Sequence, residues 1–488
     1  MCSIGGGRVR MAGAAATAAC NERWPGWIPS EAGAGMMDIG SFSTRDCGGM
    51  TRRSFLRIGA TLPILGGVTA GGGTLRAATS RPAKSVLLVW LGGGPSHVDL
   101  FDPKPKAPSQ FRGPFAPLQT HSPGAHFSEL LPRLAQRSRK FSVVRTNINH
   151  EGGHRPASSI ALTGRQAPDG GEDRGGKPGQ YPPNFGSILA RHRPTSELPG
   201  FISLARGPIG DGVGPVWGHG GGTWGKGYDP FMLDCSRTGQ VSIPALKLLE
   251  GLSPLRLSDR RDVLRKLDGA RRRLDSSKYQ DWDEVYGRAY SLLTATGASQ
   301  AFDLTRESAQ TRNAYGHTSF GQSALLGRRL VEAGVPYVQV NWSQYVEVFF
   351  PFSDYGWDTH SDNFGLMADW HGPLLDRVFA TLLDDLGDRG LLDTTLVLLM
   401  GEFGRTPRIN NIGSRDHWPH CFFTVWAGAG IQPGRIIGQS DPRGEHPLTD
   451  PVTPDMVGTT ILELAGMDTA RRAEMNVLPG SRVIHELL

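Results

Sequence analysis

Six short apolar runs recur along the chain, and no other feature restricts its fold so tightly. They are SVLLVWL (85–91), FSVVRT (141–146), GFISLA (200–205), VPYVQVNW (335–342), TTLVLLM (394–400) and FFTVWAG (422–428). Most are rich in β-branched or aliphatic residues, and each is closed by glycine or a polar loop, the pattern of a buried strand. A strand that is apolar on both sides must be covered on both sides, as in a parallel sheet flanked by helices. Helical patterns lie between the runs. Phe364, Met367, Trp370, Leu374, Val378, Leu382 and Leu386 recur every three or four residues, and further helices read through SFGQSALLGRRLVEAG and DMVGTTILELAGM. The expectation is an α/β fold with a central, mostly parallel sheet sandwiched by helices. In such sheets ligands gather at the C-terminal ends of the strands.

Two stretches depart from this rhythm. Residues 150–240 are rich in Gly, Pro and aromatics (DGVGPVWGHGGGTWGKGYDP) and read as a loop-rich or cap excursion. Residues 253–312 are charged and helical, which suggests a helical insertion. One elaborated domain over 80–488 accommodates both. The Trp and Gly residues of 213–228 suit either a sugar-binding or anionic pocket, or plain loop packing.

Ahead of this domain, TRRSFLRIGATLPILGGVTAGGGTLRAATS has an arginine pair, a short glycine-rich apolar stretch and a small-residue exit. That is the layout of a twin-arginine signal over 51–79. It implies passage through the twin-arginine translocase to the periplasm or cell surface. Residues 1–50 lack periodicity and read as disordered, or as lying upstream of a true start at Met50. The apolar stretch is too short to span a bilayer, and no other run is long enough, so the mature form is expected to have no integral membrane span. The net charge of +6 is modest, and in RRDVLRKLDGARRR acidic residues interleave with the basic ones. A solvated helix face accounts for that stretch better than nucleic-acid binding does. Of five cysteines, only Cys235 and Cys421 lie beyond the signal, too few for a disulfide scaffold.

The polar residues are placed at the strand exits. His97, Asp99 and Asp102 follow the first run, and His150 and His154 the second. Asp358 and His360 come after the fourth, in GWDTHSDNFG. Glu402, Arg405, Asp416, His417 and His420 come after the fifth, in GEFGRTPRINNIGSRDHWPH. Mixed imidazole and carboxylate donors suit Zn²⁺, Mn²⁺ or iron, with Ca²⁺ a further candidate, and an open coordination position can activate water. Asp358 and His360 are two apart, so in extended chain they share a face. Asp358 or Ser361 serves equally well as a helix cap. His97 is suited to bond a loop carbonyl, and His371 and His420 suit packing or surface positions. Arg405 and Arg408 have the fork of donors to clamp an anionic oxygen, or to pair with Asp416 and hold the loop.

GGGPSHVDLFDPKP, GWDTHSDNFG, GEFGRTPRIN and SRDHWP together resemble the signature stretches of the DUF1501 proteins, which are twin-arginine-exported and placed near the alkaline phosphatase and sulfatase superfamily. The resemblance implies an alkaline phosphatase-like sheet with a metal centre at its strand ends. TTLVLLMGEFG resembles a sulfatase strand ending in SDHG, with Glu402 at the Asp place and Phe403 at the His place. Phe403 cannot ligate. HRPASSIALTGR resembles the CxPSR…LTGR element whose Cys becomes formylglycine, and it has His154 there, so that nucleophile is absent. VTPDMVGTTILELAGMD resembles a sulfatase-type helix.

Two functions remain open on this reading. One is an exported metal-dependent hydrolase of phosphate or sulfate esters, with a sulfated or phosphorylated glycan as a candidate substrate. Its metal ligands are drawn from Asp358, His360, Glu402, Asp416, His417, His97, Asp99 and His150, with His154 as general base or further ligand and Arg405 steadying the anion. The alternative is a non-catalytic surface binding or assembly protein, its charged loop a salt-bridge network.

Overall fold

The computed structural model describes residues 82–165, 180–195, 198–205, 216–243, 300–342 and 356–488. All six apolar runs form strands of one sheet. In chain order, the sheet strands among the described residues are β1 (Ser85–Leu91), β2 (Phe141–Asn147), β3 (Phe201–Leu204), β4 (Phe231–Cys235), β5 (Val241–Ser242), β6 (Tyr337–Trp342), β7 (Thr395–Met400), β8 (Phe422–Gly428) and β9 (Ile436–Ile437). Across the sheet the order is β9-β2-β8-β7-β1-β6-β3-β4-β5. Neighbours from β7 through β1, β6 and β3 to β4 pair in parallel. β8 runs antiparallel to both β7 and β2, and β5 is antiparallel to β4. The sheet is mostly parallel, as its apolar runs require.

Strand residues alternate between two cores, because successive side chains point to opposite faces. Leu87, Val89 and Leu91 of β1 join one core, with Val397 and Leu399 of β7. That side is covered by α3 (Ser319–Glu332) and α4 (Gly372–Asp388), through Leu325, Leu326, Leu375 and Leu382 among others. Val86, Leu88 and Trp90 point the other way, with Leu396, Leu398 and Met400. There the cover comes from α1 (His154–Thr163), α2 (Phe185–His192) and α5 (Pro454–Leu464), through Leu162, Ile188, Leu189, Val457 and Ile461. The long 364–386 pattern is not one regular helix. Asn363–Leu366 passes through a π turn at Met367–His371 before α4 begins.

One expectation about chain organisation changes. Region 150–240 is no mere cap: it supplies α1, α2, β3 and β4. β4 is not among the six runs because it lies next to the edge strand and is only partly covered, so its sequence FMLDC need not be apolar throughout. Among the described part of 213–228, loop packing holds. The Arg191 guanidinium lies 4.4 Å from the Trp224 ring centroid, and Ser187 Oγ donates to the Tyr228 carbonyl at 2.7 Å. Of the expected helical insertion, 253–299 lies outside the described residues, and 300–312 contributes a 3₁₀ turn, Leu304–Arg306, and the start of helix Ala309–Tyr315. The expected signal at 51–79 and residues 1–50 lie outside them as well. No helix among the described residues is long and apolar enough to cross a membrane.

Gly428 ends β8 at φ +86°, and a Cβ there would stand 1.9 Å from the Thr395 carbonyl oxygen, so only glycine permits this strand to close on β7. Leu398 lies fully buried in the middle of β7. Leu398→Ala is expected to cost about 2–5 kcal/mol, read as a lower urea midpoint at unchanged slope; an unmoved midpoint would contradict this packing.

Candidate metal centre

Register fixes where the polar loops emerge. Leu91 pairs with Trp342 and Trp90 with Met400, so β1, β6 and β7 end at one edge of the sheet. β8 starts at that edge too, with Phe422 opposite Asn147 at the end of β2. The stretches 92–102, 148–154, 356–363 and 401–421 are therefore gathered at the carboxyl ends of the strands.

Asp358 is the focus of the gathered side chains. His154 Nε2 lies 2.9 Å from its Oδ2, while His417 Nε2 and His360 Nε2 lie 3.0 and 3.1 Å from its Oδ1. The two rim imidazoles are 2.9 Å apart, Nε2 to Nε2. Ligand atoms of His154, Asp358 and His417 all fall within 4.8 Å of one another. Atoms held about 2.0–2.2 Å from a Zn²⁺-sized ion stand roughly 3.3–3.6 Å apart in a tetrahedron, a few tenths of an ångström wider than the triangle formed by Asp358, His360 and His417. The donor set therefore fits a divalent cation.

Each imidazole uses its other nitrogen on an oxygen acceptor. His154 Nδ1 pairs with Glu402 Oε1 at 2.7 Å, His417 Nδ1 with the Gly152 carbonyl at 2.7 Å, and His360 Nδ1 with Asp416 Oδ1 at 3.0 Å. A proton held at Nδ1 leaves Nε2 with its lone pair, the arrangement by which outer acceptors orient metal-binding histidines. Local chain geometry sets up each contact. His154 opens α1 after the Gly152-Gly153 pair, and His417 sits in a two-stranded ribbon, Gly404–Arg405 against His417–Trp418. Asn149 ties the β2 exit to the Glu402 carbonyl at 2.8 Å and to the Ala157 carbonyl at 3.0 Å. Phe403 walls the buried side, its ring 5.0 Å from that of His154 and 4.6 Å from that of His417. Exposure rises from 2% for the His154 side chain to 39% for His360, so the cluster opens toward His360 and Asp416.

The electrostatics centre on Asp358. Burial would raise its pKa, but His154, His360, His417 and Arg405 hold it far below the carboxylate range. For His154, burial opposes protonation, yet Asp358 and Glu402 outweigh it and push the imidazole up to about 9. Asp358 also raises His360. Glu402 is fully buried; its Oε1 also accepts the Gly93 N–H at 2.8 Å, while its Oε2 has no hydrogen-bond partner among the described residues.

Several expected roles do not survive the geometry. Arg405 is no anion clamp: it is fully buried, and its guanidinium is committed to the Gly93, Gly94, Trp357 and Arg415 carbonyls and to Asp358. Asp99 is no ligand, because it forms a two-point pair with Arg415, Oδ2 to Nε at 2.7 Å and Oδ1 to Nη2 at 3.0 Å. His97 is buried and directed to the Gly444 carbonyl at 2.8 Å, and burial lowers its pKa to about 4. His150 is exposed, and the hydrogen bond described for it is from its backbone N–H to Asn149 Oδ1. Glu402 and Asp416 stand behind histidines through Oε1 and Oδ1. Asp358 caps no helix: the cap position is Asp362. His371 is buried packing, and His420 is exposed. Sequence reasoning missed the Gly152 carbonyl, Asn149 and Arg415. A backbone acceptor has no residue-type signal, and Arg415 reads as one more loop cation.

A family model described as protein of unknown function (DUF1501) matches residues 83–478. The chain belongs to the DUF1501 family. A search of curated proteins finds no match. Among solved structures, this DUF1501 chain is similar to the lipoteichoic acid synthase of Listeria monocytogenes, at 10% identity and TM-score 0.35, covering 83% of this chain and 75% of that one. It is also similar to a sulfatase from Pseudoalteromonas sp. (13%, TM-score 0.32, 84% and 69%) and a phosphonate monoester hydrolase from Silicibacter pomeroyi (12%, TM-score 0.31, 82% and 76%).

The metal-free cluster has a defined pH signature. His154 is raised from 6.5 to about 9, so its contribution to stability is full below pH 6.5 and is lost as pH rises through 9. Asp358 is depressed, so its contribution is present above its ordinary 3.8 and lost as pH falls through its folded value. In chelator-treated protein, the Tm difference between wild type and His154→Gln is expected to be largest between about pH 4 and 6.5 and to shrink toward pH 9. A difference constant across that range would refute the assignment.

Proposed function

We propose that this DUF1501 chain is a metal-dependent hydrolase of phosphate or sulfate esters, acting outside the cytoplasm with water as the nucleophile. The observation that carries the reading is the convergence of three imidazole Nε2 atoms on one carboxylate, each Nδ1 already bonded to an oxygen. Asp358, His154, His360 and His417 would hold the ion. Three nitrogen donors favour Zn²⁺, Mn²⁺ or Fe²⁺ over Ca²⁺, whose shell is built from oxygens. When bound, such an ion polarises an ester oxygen and lowers the pKa of water.

The chain's own residues prepare the site. Glu402, Gly152 and Asp416 fix the imidazole tautomers. Arg405 keeps Asp358 ionised, and Phe403 excludes water from the closed side. Substrate approach is left to the side of His360 and Asp416. The ester class is supported by the likeness of TTLVLLMGEFG and HRPASSIALTGR to sulfatase elements. Position 154 carries His in place of the modifiable Cys; Ser158 and Ser159 are buried within α1, and Ser159 Oγ accepts the Gly218 N–H at 3.2 Å. Water attack fits that absence. Export by the twin-arginine route is supported by the TRRSFLRIG stretch.

Elemental analysis of the purified protein should find about one ion per chain, and His360→Ala/His417→Ala should lose it while staying folded. These rim residues are preferable to Asp358, whose removal would strand the buried Arg405 cation at a cost of about 3–5 kcal/mol. The metal-loaded protein should hydrolyse an aryl phosphate or aryl sulfate, with the double variant at least about 100-fold slower. Folded wild type that binds no added Zn²⁺, Mn²⁺ or Fe²⁺ would overturn the hydrolase and favour the binding-protein alternative.

A further inference from the structure

We propose that the buried Asp99–Arg415 pair is a positioning clamp that sets the affinity of the metal centre, an inference that rests on the metal-site reading above. Both side chains are inaccessible to solvent. Together they join the exits of β1 and β7 to the segment that delivers Asp358 and His360.

Two routes lead from Asp99 to the ligands. On the first, Arg415 donates to both carboxylate oxygens and also to the Phe111 carbonyl at 3.0 Å and the Thr406 carbonyl at 2.9 Å. The Thr406 bond spans the ribbon that carries His417, two residues beyond Arg415. On the second, Asp99 Oδ2 accepts from Asn363 Nδ2 at 3.2 Å and from Ser96 Oγ at 2.6 Å. Asn363 N–H donates to Ser414 Oγ at 3.1 Å, and Ser414 Oγ donates to the Thr359 carbonyl at 2.7 Å, between Asp358 and His360. One carboxylate thus references His417 on one side and the Asp358–His360 pair on the other. Gly113, at φ +71°, leaves room for the pair: a Cβ there would stand 2.8 Å from Asp99 Oδ1 and 2.9 Å from Arg415 Nη2. Ligand atoms about 3 Å apart tolerate little relative movement of their segments, so this pair acts on affinity through position while touching no ligand.

The test compares Zn²⁺ affinity, by competition with a chromophoric chelator, in wild type, Asp99→Asn/Arg415→Gln and Asn363→Ala. The double variant removes both charges, so neither is left buried alone; Asn363→Ala leaves the ion pair in place and cuts the second route at both its bond to Asp99 and its bond from the Thr359 hydroxyl, so Thr359→Val, which removes the latter alone, is measured beside it. Ile461→Val, in the core beneath α5, is the control for lowered stability alone: its Tm should fall with Zn²⁺ affinity unchanged. The clamp predicts at least about tenfold weaker binding in each folded clamp variant, in the range seen when partners behind metal ligands are removed. If the double variant does not fold, Asn363→Ala decides the question. Folded clamp variants that bind Zn²⁺ as wild type does, with only Tm lowered, would overturn the clamp and leave the metal site standing. Wild type that binds no Zn²⁺, Mn²⁺ or Fe²⁺ would instead overturn the underlying reading, and the clamp with it.

Discussion

The ionised carboxylate of Asp358, buried among three imidazoles and a guanidinium, is the contact on which the rest of the site depends. A carboxylate removed from water costs several kcal/mol unless cations and donors replace its hydration. Here that replacement comes from four side chains on three separate stretches: His154, His360, and Arg405 with His417. Arg405 is itself pinned to the β1 exit through the Gly93 and Gly94 carbonyls. The anion therefore draws three strand exits and the start of α1 to one point, and Phe403 packs where water would otherwise screen it.

Much of the fold was legible because a two-sided sheet imposes continuous apolarity on its inner strands. Each of the six runs carried that mark, and each became a strand. β4 did not carry it, since a strand near an edge is covered on fewer sides, and the edge strands β5 and β9 are only two residues long, too short to form a run. The π turn at Met367–His371 hid inside a helical period because one extra residue shifts the phase without breaking it. His371 fills the turn, with its ring nitrogens directed to the Leu366 and Gly356 carbonyls.

The site was legible in outline and wrong in several assignments, for one physical reason. Residue type and strand-end placement show that a side chain can reach the centre, but they leave open which partner it finds on the way. Asp99 and Arg405 bear the right chemistry at the right exits. Asp99 meets Arg415, and Arg405 meets a row of carbonyls, before either can face the open side of the cluster. Glu402 and Asp416 lie one contact further out than expected, each behind a histidine. The side chains that reach Asp358 are those whose segments end in a turn or ribbon aimed at it: the opening of α1, the DTH stretch, and the strand carrying His417.

The antiparallel placement of β8 has a wider consequence. Residues 401–421 leave the sheet at the end of β7 and re-enter it as the adjacent strand, at the same edge and in reversed direction. A parallel neighbour would need a crossover spanning the whole length of the sheet. This excursion has no such distance to cover, so its outer tip is free of the scaffold even though Arg405 and Arg415 pin its base. A change of length at its exposed tip, Asn411–Gly413, can therefore reshape the rim beside Asp416 while the ribbon and every strand of the sheet keep their register.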